Sequence, residues 1–180
     1  MIRAFVAIEV PPDVRARLAV LQFVLPLPRR EDPARFHLTL TFLGEVPDTV
    51  LVAVDEGLAA LRQASFAIAL QGPGLFGGAR PHAAWAGVTP CEPLLRLQAK
   101  VDRIAHLAGA PVPRRRFVPH VTLGRFPPPP PDGARRLATA VAEESRFRAG
   151  PWQVDRLVLF RSQRGPEGAW HDPLAVYPLA

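Results

Sequence analysis

Apolar and polar positions alternate along this chain at two periods that take turns, one of two residues and one of three to four. Residues 2–9 carry the short period of a strand. Pro12-Asp13 then opens a helix over 12–25, with Val14, Leu18, Leu21 and Leu25 spaced by four, three and four. Pro26 and Pro28 end it, and a charged loop from Arg29 to Pro33 follows. Phe36 to Leu43 reads as strand, closed by Gly44. Pro47-Asp48 opens a second helix to about Gln63, and Ser65 to Leu70 is strand again.

The same rhythm returns downstream. His82 to Val88 predicts a strand, Glu92 to about Leu107 an amphipathic helix stopped by Gly109, and Phe117 to Phe126 a strand. Asp132 to Glu144 reads as helix and Val154 to Phe160 as strand. Trp170 to Leu179 reads as a last strand, reached through the turn-rich Arg164-Gly165-Pro166-Glu167-Gly168. The order of elements repeats at an offset close to 80. That predicts an α+β chain forming a single domain over 1–180, with two interleaved lobes, approximate repeat units 1–80 and 81–180, and a pseudo-two-fold axis. The five prolines of 127–131 read as a stiff connector between strand and helix. Gly72 to Gly78 is glycine-rich but lacks the Gly-Lys-Ser/Thr ending of a nucleotide-binding loop, so it reads as a turn between strands.

The chain has 180 residues, 48% of them hydrophobic, a mean hydropathy of +0.09 and a formal charge of +6. No run approaches the roughly 18 apolar residues of a membrane span, and the N-terminus has no secretory pattern. Cys91 is the lone cysteine, which fits a reducing compartment, so the expected setting is cytoplasmic. Of the 22 basic residues only Lys100 is not arginine. Arginine forks match phosphate geometry, but abundant Ala, Gly, Pro and Arg also follow from GC-rich codons. Position says more than the total: Arg114-Arg115-Arg116 and Arg125 bracket one short motif.

That motif occurs twice, as His37-Leu38-Thr39-Leu40 and His120-Val121-Thr122-Leu123, 83 positions apart. Five histidines and six threonines in 180 residues would yield a His-x-Thr match by chance only about 0.2 times. On a strand, residues i and i+2 share a face, so each copy presents an imidazole beside a hydroxyl. Two such imidazoles across a cleft supply an acid and a base, which is what metal-free cleavage of a phosphodiester requires. The threonine hydroxyls are suited to hold non-bridging phosphate oxygens; Thr41 fits either that role or simple strand packing. Phe5, Phe76 and Trp85 are candidate stacking faces for a base. Arg29 and Arg30 are placed to track a backbone. His82, His106 and His171 have no threonine two residues on and read as ordinary histidines. No cluster has metal-ligand spacing, so neither metal nor cofactor is expected.

The chain resembles the two-histidine phosphoesterase superfamily, in particular its bacterial and archaeal 2',5'-RNA ligase branch, whose members act as RNA 2',3'-cyclic phosphodiesterases. The resemblance rests on Arg3-Ala4-Phe5-Val6-Ala7-Ile8, on Phe36 to Val46, on Phe117 to Arg125, and on Leu159-Phe160-Arg161-Ser162 leading to Tyr177-Pro178-Leu179. It departs at Phe160 and Trp170, where tyrosine is expected. It implies a bilobal duplicated fold, two antiparallel sheets around a central cleft with helices outside. It further implies His37 as proton donor, His120 as proton acceptor, and Thr39, Thr122, Arg125 and Phe5 on the substrate. The implied substrate is an RNA end carrying a 2',3'-cyclic phosphate, the product a 2'-phosphomonoester, with 2',5' ligation as the reverse reaction. A monomer needing no protein partner and no membrane is expected. Residue geometry alone leaves the acid and base interchangeable. Two alternatives stay open: an RNA-end binding module without turnover, and a phosphodiesterase of small cyclic nucleotides or 2',5'-oligoadenylate.

Overall fold

In chain order the elements are β1 (Ile2–Glu9), α1 (Pro12–Val24), β2 (His37–Val46), α2 (Asp48–Ala59), β3 (Phe66–Phe76), β4 (Ala83–Val88), α3 (Glu92–Leu107), β5 (His120–Arg125), α4 (Pro131–Glu143), β6 (Ala149–Val154), β7 (Arg156–Gly165) and β8 (Gly168–Pro178). The structure is a computed structural model that describes residues 1–113, 116–165 and 168–180. Arg114-Arg115 of the basic run and Pro166-Glu167 of the last expected turn lie outside the described residues.

The strands join in the order β6-β3-β4-β5-β2-β1-β7-β8, every neighbouring pair antiparallel. Where two sheets were expected, the eight strands form one hydrogen-bonded order. Its two four-stranded halves meet at β2 and β5 through a single registered pair, Leu38 opposite Val121. One half, β1, β2, β7 and β8, draws strands from both ends of the chain, and the other, β3, β4, β5 and β6, is built from its middle.

The apolar periods read from the sequence become the packing faces. α1 buries Val14, Leu18 and Leu21, and α3 buries Leu94, Leu97, Val101 and Ala105, a stripe one helical face wide laid against β2. β1 is buried without a break from Ala4 to Ile8 because both its faces are covered, Ala4, Val6 and Ile8 by the core and Phe5 by the rings of His37, Phe42, Phe160 and His171. The helix side chains and, from β1, Ala4, Val6 and Ile8 belong to one contiguous core with Leu38, Val121 and Leu123 from the central strands.

Several boundaries differ from expectation for local reasons. β5 starts at His120 rather than Phe117, because Pro119 has no N–H for a ladder and offers only its carbonyl, to Val88 N at 2.9 Å. The glycine-rich segment expected as a turn is the second half of β3, with Gly74 opposite Trp85 and Phe76 opposite Ala83. A Cβ on Gly74 would lie 2.3 Å from the Trp85 indole, so the glycine makes room for that ring. β6 went unread because it contains Gly150-Pro151; it is an edge strand, where a missing N–H is tolerated.

Candidate active site

The two His-x-Thr copies lie on β2 and β5, the strands at the junction of the two sheet halves. In both, the intervening residue, Leu38 or Val121, is fully buried, while the imidazole and hydroxyl are partly exposed on the other face. The surroundings match closely. His37 Nδ1 lies 2.7 Å from the carbonyl of Arg35, and His120 Nδ1 lies 2.6 Å from that of Val118, each two residues back. A carbonyl only accepts, so Nδ1 carries the proton in both rings, and in the neutral form Nε2 carries the lone pair. Each ring also rests near a phenylalanine, Phe5 at 4.9 Å from His37 and Phe76 at 5.0 Å from His120 between centroids.

Strict alternation would put Arg125 on the opposite face from Thr122. A bulge at Leu123 breaks the alternation, since Trp85 pairs with Thr122 but Ala84 pairs with Gly124. Arg125 thereby returns to the site face, and its guanidinium donates to Thr122 Oγ1 at 3.4 Å. β2 has the same irregularity, Val6 pairing with Thr41 and Ala7 with Thr39, and it brings Phe42 to the equivalent place 83 positions before Arg125. Thr41, 3% exposed, donates to Asp102 Oδ1 of α3 at 3.2 Å and is taken up by that packing.

Two cavities adjoin here. One, of about 520 Å³, contains His37, His171 and several arginines; the other, of about 530 Å³, contains Thr39, His120 and Thr122. Phe42 and Arg125 line both. Burial lowers the His37 pKa from 6.5 to about 4, and the positive fields of His171, Arg125 and His120 push the same way, against the Arg35 carbonyl. The two imidazoles are thus within electrostatic reach of each other.

Phe5 is not the open stacking face expected of it. It is 2% exposed and its ring lies among His37, Phe42, Phe160 and His171, so it floors the first imidazole from below. His171, read as ordinary, arrives on β8 with its ring edge-on to His37 at 5.3 Å. Burial lowers its pKa too, opposed by Glu31. No local signal in the sequence marks it, because its place depends on the β7–β8 hairpin joining β1. The Arg29 loop is also more tightly held than its composition suggests. Gln22 of α1, 4% exposed, donates to the carbonyls of both Glu31 and Leu123 at 2.7 Å, and Glu31 N donates to Leu123 O at 2.9 Å. No polar-in-a-helix rule marks Gln22 before the loop is seen folded onto β5.

The low pKa of His37 has a consequence for stability. The unfolded chain, with histidine near 6.5, binds more protons than the folded one between about 4 and 6.5. The stabilisation from an uncharged His37 is therefore complete above pH 6.5 and is lost as pH falls toward 4. At about 1.4 kcal/mol per tenfold, this amounts to roughly 3 kcal/mol. Urea midpoints taken from pH 7 to pH 4.5 will fall less steeply for His37→Asn than for the unaltered protein; parallel slopes would contradict the assignment.

Among the described residues no group of three or more His, Cys, Asp or Glu side chains is placed to hold a metal ion, and no helix is long and apolar enough to cross a membrane. Comparison with known proteins finds a similar protein of Aeropyrum pernix, an RNA 2',3'-cyclic phosphodiesterase, 36% identical over 129 residues that cover 71% of this chain and 70% of that one. A Thermus thermophilus protein of the same name is 31% identical over 193 residues, covering 98% of this chain and 90% of its own. The fold is that of Escherichia coli LigT in complex with 3'-AMP, with a TM-score of 0.81 at 24% identity over 99% of this chain and 98% of that one. The family model described as the 2'-5' RNA ligase superfamily matches residues 10–166, and on these grounds the chain belongs to the 2'-5' RNA ligase superfamily.

Proposed function

We propose that this protein is a metal-independent RNA 2',3'-cyclic phosphodiesterase that opens the cyclic end to a 2'-phosphomonoester. The observation that carries the proposal is the pair of imidazoles on neighbouring strands, each with Nδ1 tied to the carbonyl two residues back, at adjoining cavities that share Arg125. The similar proteins of Aeropyrum pernix and Thermus thermophilus bear that name. We also infer a single domain of two interleaved lobes related by a pseudo-two-fold axis, because His, Thr and the bulge-shifted third residue recur at a constant offset of 83.

In this reading His120 Nε2 takes a proton from water, whose oxygen attacks phosphorus. The P–O3' bond breaks in line with the attack, and His37 Nε2–H protonates the departing O3'. Thr39, Thr122 and Arg125 hold the non-bridging oxygens and the charge that builds on them. Among its own neighbours His37 is neutral at pH 7, its proton on Nδ1. The entering phosphodiester carries the negative charge that draws a proton onto it, against burial and the neighbouring cations. With a 5'-hydroxyl in place of water as the nucleophile, the same steps in the same direction form a 2',5' linkage, O3' again leaving; run backwards, they would cleave one. No cofactor takes part; the lone Cys91 fits a reducing cytoplasm, and the site needs one copy of the chain.

The test is a product analysis. An oligonucleotide with a 2',3'-cyclic phosphate, incubated with the protein in EDTA, is examined by phosphorus NMR and mass. The expected product keeps phosphate on O2', at an undiminished rate. Phosphate retained on O3', or activity that needs an added divalent ion, contradicts the mechanism. Tight salt-sensitive binding with the end unchanged would make the protein a binding module.

A further inference from the structure

The cavity on the His37 side has a charge that the reaction at phosphorus does not use up. Five arginines line it against two carboxylates, Glu31 and Asp32, an excess of three positive charges. Three of the five are engaged. Arg35 lies 3.6 Å from each of those carboxylates and donates to the Ala169 carbonyl. Arg30 turns back to the carbonyls of Gln22 and Phe23 at 3.4 and 3.3 Å and lies over the Phe23 ring. Arg125 reaches Thr122. Arg3 and Arg29 remain, and among the described residues neither side chain has a hydrogen-bond or ion-pair partner. They come from well-anchored backbone: Arg3 from β1 and Arg29 from the loop that Gln22 fastens to β5.

Two guanidinium groups with no ion-pair partner, on a cavity whose lining is net positive, suit an anion, and in-line displacement says which one. Attack and departure take opposite sides of phosphorus. With water on the His120 side, the ribose bearing O3' lies on the His37 side, and the rest of the strand continues from that ribose through its 5' oxygen. The next anion along is the internucleotide phosphodiester, one ribose away. We propose that the His37-side cavity is a subsite for this second phosphate, held by Arg3 and Arg29, so that the protein selects polynucleotide ends over nucleoside cyclic monophosphates. The inference rests on the acid and base roles proposed above.

The experiment compares a nucleoside 2',3'-cyclic monophosphate with the same compound bearing a 5'-phosphate. The unaltered protein will show a KM at least about tenfold lower for the 5'-phosphorylated compound, the usual worth of a charge-assisted contact. Arg3→Gln and Arg29→Gln will each remove most of that advantage while leaving kcat on both compounds and KM on the plain one unchanged. Arg29→Lys will keep part of it, because an ammonium retains the charge but not the fork. Equal KM values for the two compounds, or variants that weaken both alike, would overturn the subsite. If neither compound is turned over, the proposed activity falls, and calorimetric binding of the same pair to the same variants still decides the subsite.

Discussion

Alanine at His37 or at His120 will lower turnover of a cyclic-phosphate end by about 10²- to 10⁴-fold, the usual contribution of one placed proton transfer. The double variant will fall little below the weaker single one, because two groups that serve one displacement are not additive. The losses will appear in kcat, while binding of the phosphate through Thr39, Thr122 and Arg125 persists. Folding is the necessary control. His37 packs among Phe5, Phe160 and His171, so far-UV dichroism and a urea midpoint must accompany each rate. His37→Asn serves where alanine disturbs the ring cluster, since its amide can still donate to the Arg35 carbonyl. A folded double variant with undiminished turnover would falsify the assignment.

Gly124→Ala will destabilise the protein although it adds only a methyl group. A Cβ at Gly124 would lie 2.3 Å from the carbonyl oxygen of Arg29 and 3.3 Å from the Leu27 side chain. The nearest clash is with backbone, so no rotamer change relieves it. The 29–31 segment must lift off β5, at about 1–3 kcal/mol for the overpacking alone. The bond from Glu31 N to Leu123 O and the two donated by Gln22 loosen with it, each worth roughly 0.5–1.5 kcal/mol. A drop in the urea midpoint at unchanged slope is the expected signature. The loop carries Arg29 and Glu31 into the His37-side cavity, so KM for an RNA end rises as well. An unchanged midpoint would mean the loop is not seated against the strand.

What could be read in the sequence was whatever local pattern encodes. The doubled His-x-Thr, the helices expected over 12–25 and from 92 to about 107 and the central strands all follow from period and spacing, and the structure places them within a few residues of that reading. What escaped depends on partners remote in sequence. His171 looked ordinary because nothing near it shows that β8 will bring it to the first imidazole. Phe5 looked available because alternation cannot tell a cleft-facing ring from one covered by His37, Phe42, Phe160 and His171. Gly74 looked like turn chemistry when its use was to admit Trp85. Arg125 was picked out by nearness to the motif, but its facing depends on a bulge, and a bulge leaves no periodic trace.

The order of the strands also bears on when the molecule becomes competent. β1 is completed on its outer side by β7 and β8, which are made after some 150 further residues. Until then a growing chain holds its first strand with an open border, able to pair with whatever strand comes near. Phe160 and His171, which wall in the first imidazole, are delivered by the same late hairpin. Synthesis therefore finishes the pocket last, and a ribosome stalled short of β7 releases a polypeptide bearing both histidines but only one enclosed catalytic chamber wall.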